Sequence, residues 1–256
     1  MPYTTIDKSS DHFQTETWSS QDTSIDTINF APDWVWIKSR TNADTQILFD
    51  SVRGANKRLS SSGNTGESTT SDELTAFNSD GYTLGTGSNV NRSGHDYVSW
   101  NWLAGGTAPA ITYSVKVVSD SGNKYRFDDF GTSAVTLDLQ EGGTYTFDQS
   151  DSSNSGHPLR FSTTSDGSHG GGSEYTTGVT TTGTPGSAGA KTVITVGSGV
   201  ATLYYYCTQH SGMGGQANTN STHGSSNFSG SIQANVSANT TAGFSIVSYA
   251  GNSTAG

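Results

Sequence analysis

Sulfur, charge and long apolar runs are scarce in this sequence of 256 residues. Its single cysteine, Cys207, excludes an internal disulfide framework, and no stretch approaches the roughly 20 apolar residues that a membrane-spanning helix needs. Charged residues make up 13% of the chain, and 22 acidic side chains outnumber 12 basic ones. Because nucleic-acid binding needs a basic surface, we expect no nucleic acid as a partner.

Motifs of catalysis are also missing. No nucleophile, base and orienting group form a recognisable triad, and no G-x-S-x-G elbow is present. The stretch "GSHGGG" is rich in glycine but fits neither a phosphate loop nor a dinucleotide fingerprint. The acidic loops lack the ordered spacing of a calcium-binding EF-hand, so ordinary turns are favoured there. The sequence therefore predicts a protein that is not an enzyme.

Glycine (32 residues) and aromatic residues (10%) are abundant, and apolar positions alternate with polar ones. Segments such as "WVWIK", "ITYSVKVV" and "TLYYYC" have the two-residue period of strands, with almost no helical period. We expect an all-β chain with less than about a tenth of its residues in helix. The break "GGTAP" separates two predicted β-sandwich domains, 1–106 and 110–215. Residues 216–256 are predicted to be a polar linker followed by one strand, "GFSIVSY".

That last strand, residues 243–249, has two possible roles. It begins a further repeat of the first domain, in a chain that is part of a longer protein, or it serves assembly. In either case we expect it to pair with residues 11–106 or with a neighbouring subunit, because an unpaired strand edge invites association.

The stretch "YYYCTQHSGMGG" places Cys207, His210 and Met213 within one short loop after a strand. Copper sites of the blue type need two histidines, one cysteine and a distant methionine, and His157 in "SNSGHPLRF" supplies the second imidazole. Loops of a sandwich gather at its ends, so these four side chains are expected to converge. Strand alternation directs Cys207 inward. The alternative is structural: a small buried thiol, with the methionine filling a gap and no metal.

Residues 111–215 resemble a cupredoxin domain of the plastocyanin and amicyanin kind. The resemblance is carried by "TLYYYCTQHSGM" and by "EGGTYTFDQSDSSNSGHPLRF", and it implies a Greek-key sandwich. It also implies His157 and His210 as nitrogen ligands, Cys207 as the thiolate and Met213 as the axial ligand. Copper is then the expected cofactor, with zinc or no metal as alternatives. Pro158 departs from the family, in which asparagine often follows the first histidine and bonds across to the cysteine loop.

Residues 12–106 are similar to the repeated concanavalin-like domain of marine tailed-phage structural proteins. The match rests on "FAPDWVWIKSRTNADTQILFDSVRGANKRLSS" and "SDGYTLGTGSNVNRSGHDYVSWNWLAGG", and it implies a jelly-roll sandwich in a virion protein. The expected partners are other virion subunits, in a homo-oligomer, and host surface glycans. Most tryptophans are predicted to be core residues, although each offers a ring for sugar stacking: Trp18, Trp34, Trp36, Trp100 and Trp102.

Two functions follow from these observations. The first is a structural and adhesive component of a phage particle, such as a tail fibre, an appendage or a surface decoration. It would be made in the host cytoplasm and be extracellular after lysis, which agrees with an N-terminus lacking the basic and apolar regions of a signal peptide. The alternative is a copper-binding, cupredoxin-type electron-transfer protein. The remaining histidines, His12, His95, His169 and His223, are predicted to be solvated surface residues.

Overall fold

A computed structural model describes residues 8–20, 22–220 and 224–251 of the chain. Strands hold 44% of the residues and helices 6%, which confirms the predicted all-β sandwich class. The α-helix that the described residues contain, α1, covers only Ser88–Asn91. Within the same residues, no helix has the length and apolar character needed to cross a membrane.

The first compact unit extends to Thr107 and also includes Ser237–Ser248. Its sheets are a six-stranded one, in the order β1-β9-β3-β4-β5-β6, and a three-stranded one, in the order β2-β8-β7. The strands are β1 Phe13–Ser19, β2 Ser24–Ile25, β3 Trp34–Ser39, β4 Ile47–Asp50, β5 Lys57–Ser60, β6 Ser68–Thr69, β7 Leu74–Asn78, β8 Gly81–Leu84 and β9 Asp96–Trp102.

Strand alternation gives the six-stranded sheet one buried and one half-exposed face. In β3, Val35 and Ile37 are fully buried in the core, whereas Trp34 and Trp36 are half-buried on the opposite face. The inner face contacts the smaller sheet, since the hydroxyl of Tyr82 on β8 hydrogen-bonds a serine of β9 at 2.7 Å. The two sheets therefore share one apolar core.

The second unit spans Ala108–Val236. Its sheets have the orders β11-β10-β13-β16-β15 and β12-β18-β17-β14, with parallel pairing of β10 to β13 and of β12 to β18. The strands are β10 Ala110–Ser119, β11 Asn123–Phe127, β12 Leu137–Gln140, β13 Thr144–Asp148, β14 Leu159–Ser162, β15 Val179–Thr182, β16 Lys191–Thr195, β17 Leu203–Cys207 and β18 Gly215–Asn220.

Aromatic side chains from both sheets fill the core of the second unit. Phe127, Phe147 and Tyr205 are at most 1% exposed, and Phe127 meets Phe147 and Tyr205 edge-on at centroid distances of 5.6 and 5.2 Å. Such edge-to-face pairs add stability beyond the apolar area that they bury. This packing fixes the relative position of the strands that carry the candidate site.

The described part of the polar stretch from residue 216, predicted above as a linker, contains strands. It contains β18 and then β19 Ser225–Asn227. β18 is hydrogen-bonded on both sides, to β12 and β17, and its Ala217 is fully buried. Phe228 is also buried in the same core. Backbone pairing makes no demand on side-chain polarity, so an Asn- and Thr-rich segment forms an internal strand, and the second unit extends past the expected end at 215.

The chain end forms β20 Ala234–Asn239 and β21 Phe244–Tyr249, in a sheet of order β19-β20-β21. The predicted terminal strand is present, but its neighbour in this sheet is β20 rather than a strand within residues 11–106. The ring of Phe244 lies 6.1 Å from that of Trp34, between centroids. Residues Ser237–Ser248 are grouped with the first unit.

Candidate metal centre

The candidate site lies where β17 ends in the second unit. Tyr205 and Cys207 point into the core, as the alternation predicts, and the Cys207 side chain is fully buried. Antiparallel pairing places Leu159, at the start of β14, opposite Cys207. The backbone N–H of Thr208 donates to the carbonyl of Pro158 at 3.2 Å. These contacts bring the loop before β14 next to the loop after β17.

His157, Cys207 and His210 converge on one point. The Sγ of Cys207 lies 3.8 Å from the Nδ1 of His157 and 3.8 Å from the Nδ1 of His210. All three ligand atoms lie within 4.8 Å of one another, and the imidazole centroids are 4.6 Å apart. Cysteine is buried, His157 is half-buried and His210 is exposed, so the group lies at the rim of the sandwich.

These distances suit a single metal ion with three ligands. Metal–nitrogen bonds of about 2.0–2.1 Å and a metal–sulfur bond of about 2.3 Å, separated by about 120°, put sulfur and nitrogen about 3.8 Å apart. Both observed sulfur–nitrogen distances have this value. Two histidines and one cysteine are also the ligand types of blue-copper sites.

Met213, the predicted axial ligand, is 1% exposed and belongs to the same buried cluster as Cys207. Its carbonyl accepts a hydrogen bond from the backbone N–H of Tyr125 at 3.0 Å, which ties the end of the ligand loop to β11. Met213 is therefore a core residue that follows Cys207 and His210 on the same stretch of chain.

Buried polar side chains hold His157 in place. Its carbonyl accepts two hydrogen bonds, from Nε2 of Gln149 at 2.8 Å and from the Tyr125 hydroxyl at 2.9 Å. Gln149 also accepts the backbone N–H of Leu159 at 3.1 Å, and so spans the turn around Pro158. Gln149 and Tyr125 thus fix the backbone of His157 beside Pro158.

The environment favours uncharged forms of two groups at the site. Burial, and secondarily the neighbouring His210, lower the pKa of His157, which keeps its imidazole neutral and able to bind a metal. Burial, and secondarily the adjacent Cys207 thiol, raise the pKa of the Tyr125 hydroxyl. Tyr125 therefore stays protonated and remains a hydrogen-bond donor.

Three residues near the site were not predicted. Gln149 had a detectable signal, because it continues the inward-facing series of β13 and is only 1% exposed. Tyr125 likewise faces inward on β11. No sequence signal indicated a role for His169. It lies in a 3-10 turn at Gly167–Gly170, and its Nε2 is 3.0 Å from the carbonyl oxygen of Cys207.

The structure corrects part of the prediction for the other histidines. His95 is largely covered and its Nδ1 lies 3.0 Å from the Asp44 carboxylate, so it is not simply solvated. His12 is half-buried. His169 is exposed as predicted, but its imidazole makes a hydrogen bond with the backbone carbonyl of Cys207 at the end of β17. His223 lies outside the described residues.

Comparison with known families adds one match. The profile of a family described as a domain of unknown function (DUF7483) matches residues 8–130 and 216–256. The chain belongs to this family. No curated protein and no solved structure matches the chain.

The DUF7483 match omits residues 131–215, which contain His157, Cys207, His210 and Met213. The match covers the first unit together with β10, β11 and the C-terminal strands, whereas the candidate ligands lie wholly in the unmatched segment. The three candidate ligands are therefore brought together in a part of the chain that the family match does not cover.

Proposed function

We propose that the second unit binds one copper ion through His157, Cys207 and His210, with Met213 as a weak axial ligand, and transfers single electrons. The pair of 3.8 Å sulfur–nitrogen distances carries this proposal, because it supports one metal ion between two imidazoles and a thiolate. The donor set selects among metals: a thiolate with two imidazoles suits copper, and copper generally outcompetes zinc for such ligands.

The surrounding residues fit a redox ion rather than a hydrolytic one. Bound copper supplies a one-electron change between its two common oxidation states. The chain contributes the burial of Cys207, which excludes water from the sulfur, and the two hydrogen bonds that fix the backbone of His157. A site held in one geometry by the sheets changes little between redox states, which favours fast transfer of an electron.

A copper titration tests the proposal. Reduced, metal-free protein given copper is expected to develop strong visible absorption from thiolate-to-copper charge transfer, saturating at one ion per chain. Cys207→Ser should remove this absorption, whereas His95→Ala, a histidine variant in the first unit, should retain it. Wild-type protein without such absorption would show that the group does not hold copper in this form.

We infer a second function for the first unit, as a structural and adhesive component of a phage particle that contacts saccharides. One observation favours adhesion: the outer face of the six-stranded sheet carries a row of half-buried rings. Trp102 packs in a tilted arrangement against Phe13 and Trp34, at centroid distances of 4.8 and 4.5 Å, and Trp36 meets Trp100 at 5.1 Å. Aromatic faces of this kind suit the apolar faces of sugar rings.

Polar groups lie beside these rings. A cleft next to Trp100 is lined by Lys38, Arg40 and Asn42, among others, and these side chains offer hydrogen-bond donors to sugar hydroxyl or carboxylate groups. Tryptophan fluorescence during titration with host-surface polysaccharide should change in wild-type protein and respond much less in Trp100→Ala. Equal responses of the two proteins would contradict adhesion through this face.

The edge strand β21 supports assembly into a homo-oligomer. Val247 and Tyr249 on this strand are 51% and 67% exposed, and β21 is the last strand in its sheet. An exposed apolar edge can be completed by a strand of another subunit. Val247→Lys should shift the protein toward monomers in analytical ultracentrifugation, and an unchanged mass distribution would argue against this edge as the interface.

A further inference from the structure

The exposed imidazole of His169 is hydrogen-bonded to the backbone carbonyl of Cys207, the candidate thiolate ligand. Its Nε2 lies 3.0 Å from the carbonyl oxygen of Cys207. A carbonyl oxygen only accepts hydrogen bonds, so Nε2 carries the hydrogen and donates it. His169 is itself exposed, and the contact therefore links the interior of the candidate metal centre to the surface.

The turn that carries His169 is held in place by its neighbours. Asp166 and Gly167 adopt left-handed backbone angles, with φ of 57° and 54°. The Asp166 carboxylate accepts the backbone N–H of Gly212 at 2.9 Å, which joins this turn to the loop that carries His210. The imidazole is thus positioned by a folded element and not by a freely moving loop.

The same turn covers the aromatic ring nearest to the cysteine in sequence. Tyr206 is only 2% exposed, and a Cβ added at Gly167 would come within 2.4 Å of its ring. The side chain of Ser168 hydrogen-bonds Tyr206 as well. Tyr206 therefore does not reach solvent, whereas His169, one residue further along the turn, does.

We propose that His169 is a port through which electrons pass between the metal centre and an external partner. This inference rests on the copper site proposed above. The path from the copper-bound sulfur follows the Sγ–Cβ, Cβ–Cα, Cα–C and C=O bonds of Cys207, and then the hydrogen bond to the imidazole. If the site holds copper(I), the ion would supply the one electron that a one-electron acceptor takes up. No covalent bond in the protein is made or broken, and no proton is transferred.

The charge of the chain selects the class of acceptor. The net charge is −10, and the Asp166 carboxylate lies on the turn that carries His169. The charges nearby are otherwise balanced, since Glu174 pairs with Arg160 at 3.2 Å and Lys124 donates to the carbonyl of Gly212, so the attraction comes from the net charge of the chain. A field of this sign attracts cationic partners and raises their rate of encounter. The expected acceptor is therefore a cationic one-electron carrier rather than an anionic one.

Stopped-flow oxidation of the copper(I) protein by tris(phenanthroline)cobalt(III), a cationic one-electron oxidant, tests the port. His169→Phe, which removes the hydrogen bond, is expected to lose most of the wild-type rate while its charge-transfer absorption and reduction potential stay unchanged. His169→Gln keeps an N–H donor and should retain more of the rate than His169→Phe. Gln209→Ala, an exposed position on the ligand loop, is the matched control and should react as the wild type does.

The possible results separate the two proposals. A wild-type rate in His169→Phe, with normal absorption, would overturn the port alone and assign transfer to the exposed edge of His210. Absence of the absorption in the wild type would refute the copper site and the port together. Nitrogen NMR of the metal-free protein gives a readout without copper: His169 should carry its hydrogen on Nε2, and a deprotonated Nε2 would overturn the proposed contact.

Discussion

Removing the side chain of Gln149 should destabilise the second unit more than removing the hydroxyl of Tyr125. Both groups bond to the carbonyl of His157, at 2.8 and 2.9 Å, but only Gln149 also accepts the backbone N–H of Leu159. In Gln149→Leu that N–H is buried without an acceptor, and such a group costs about 1–3 kcal/mol. In Tyr125→Phe the carbonyl keeps its bond from Gln149, so the cost is that of one ordinary hydrogen bond, about 0.5–1.5 kcal/mol.

The chain allows the two units to be followed separately. All five tryptophans lie in the first unit and the only cysteine lies in the second. Cys207 is fully buried, so its reaction with a thiol reagent in increasing urea reports unfolding of the second unit. Tryptophan fluorescence reports the first unit, whose transition should be the same in wild type and both variants.

Copper affinity gives a second readout for the same pair of variants. Because Gln149 orients the backbone of His157, Gln149→Leu should weaken copper binding by about 10- to 100-fold. Gln209→Leu, at an exposed position, controls for the change of residue type. If Gln149→Leu were no less stable than Tyr125→Phe, or bound copper as tightly as the wild type, the reasoning about the support of His157 would be refuted.

Three further predictions concern the same unit. Gly167→Ala should lower the free energy of unfolding by about 2–4 kcal/mol, because the residue has a left-handed φ and its added Cβ would lie 2.4 Å from the Tyr206 ring. Gly171→Ala has open space around its Cβ and should lower it by only about 1–2 kcal/mol, through backbone strain. Thermal unfolding of the two variants measures the difference. Burial lowers the pKa of His157 below the ordinary value of 6.5, so the metal-free folded state binds fewer protons there than the unfolded chain. Stability should be lost as the pH falls from 6.5 through the lowered pKa, and a proton NMR titration showing a raised pKa would contradict this. Burial raises the pKa of Tyr205 and other core tyrosines above the ordinary value of 10.0, so stability should be lost as the pH rises above 10, with the tyrosinate absorbance of these core residues appearing only on unfolding.

The sequence predicted the strands best where side chains alternate clearly. In β3 and β17 the inward residues are those that the two-residue period selects, including Tyr205 and Cys207. The convergence of His157, Cys207 and His210 could also be anticipated, because Cys207 and His210 are close in sequence and His157 lies in the loop that precedes a strand. Local spacing and chemical type were sufficient for these features.

Other features depend on long-range pairing that local patterns do not record. β18 is an internal strand of the second unit although its residues are polar, since it gains two sets of backbone hydrogen bonds and buries only Ala217. The pairing of β21 with β20 was not predicted for a related reason. Its apolar alternation predicts a strand, but the short connection from β20 decides which strand it joins.

The supporting residues of the metal group were the least predictable. The contact of His169 with Cys207 depends on a 3-10 turn within a Gly- and Ser-rich stretch, where composition indicates only a loop. Gln149 is a polar residue at an inward-facing position of the sequence pattern. Such a position predicts a buried hydrogen bond, but it does not predict which group is the partner.

X-ray absorption at the copper edge of the copper-loaded protein tests the central claim most directly. The account predicts one ion per chain with two nitrogen neighbours at about 2.0–2.1 Å and one sulfur neighbour near 2.3 Å, and loss of the sulfur neighbour in Cys207→Ser. A spectrum with only nitrogen and oxygen neighbours in the wild type would contradict it.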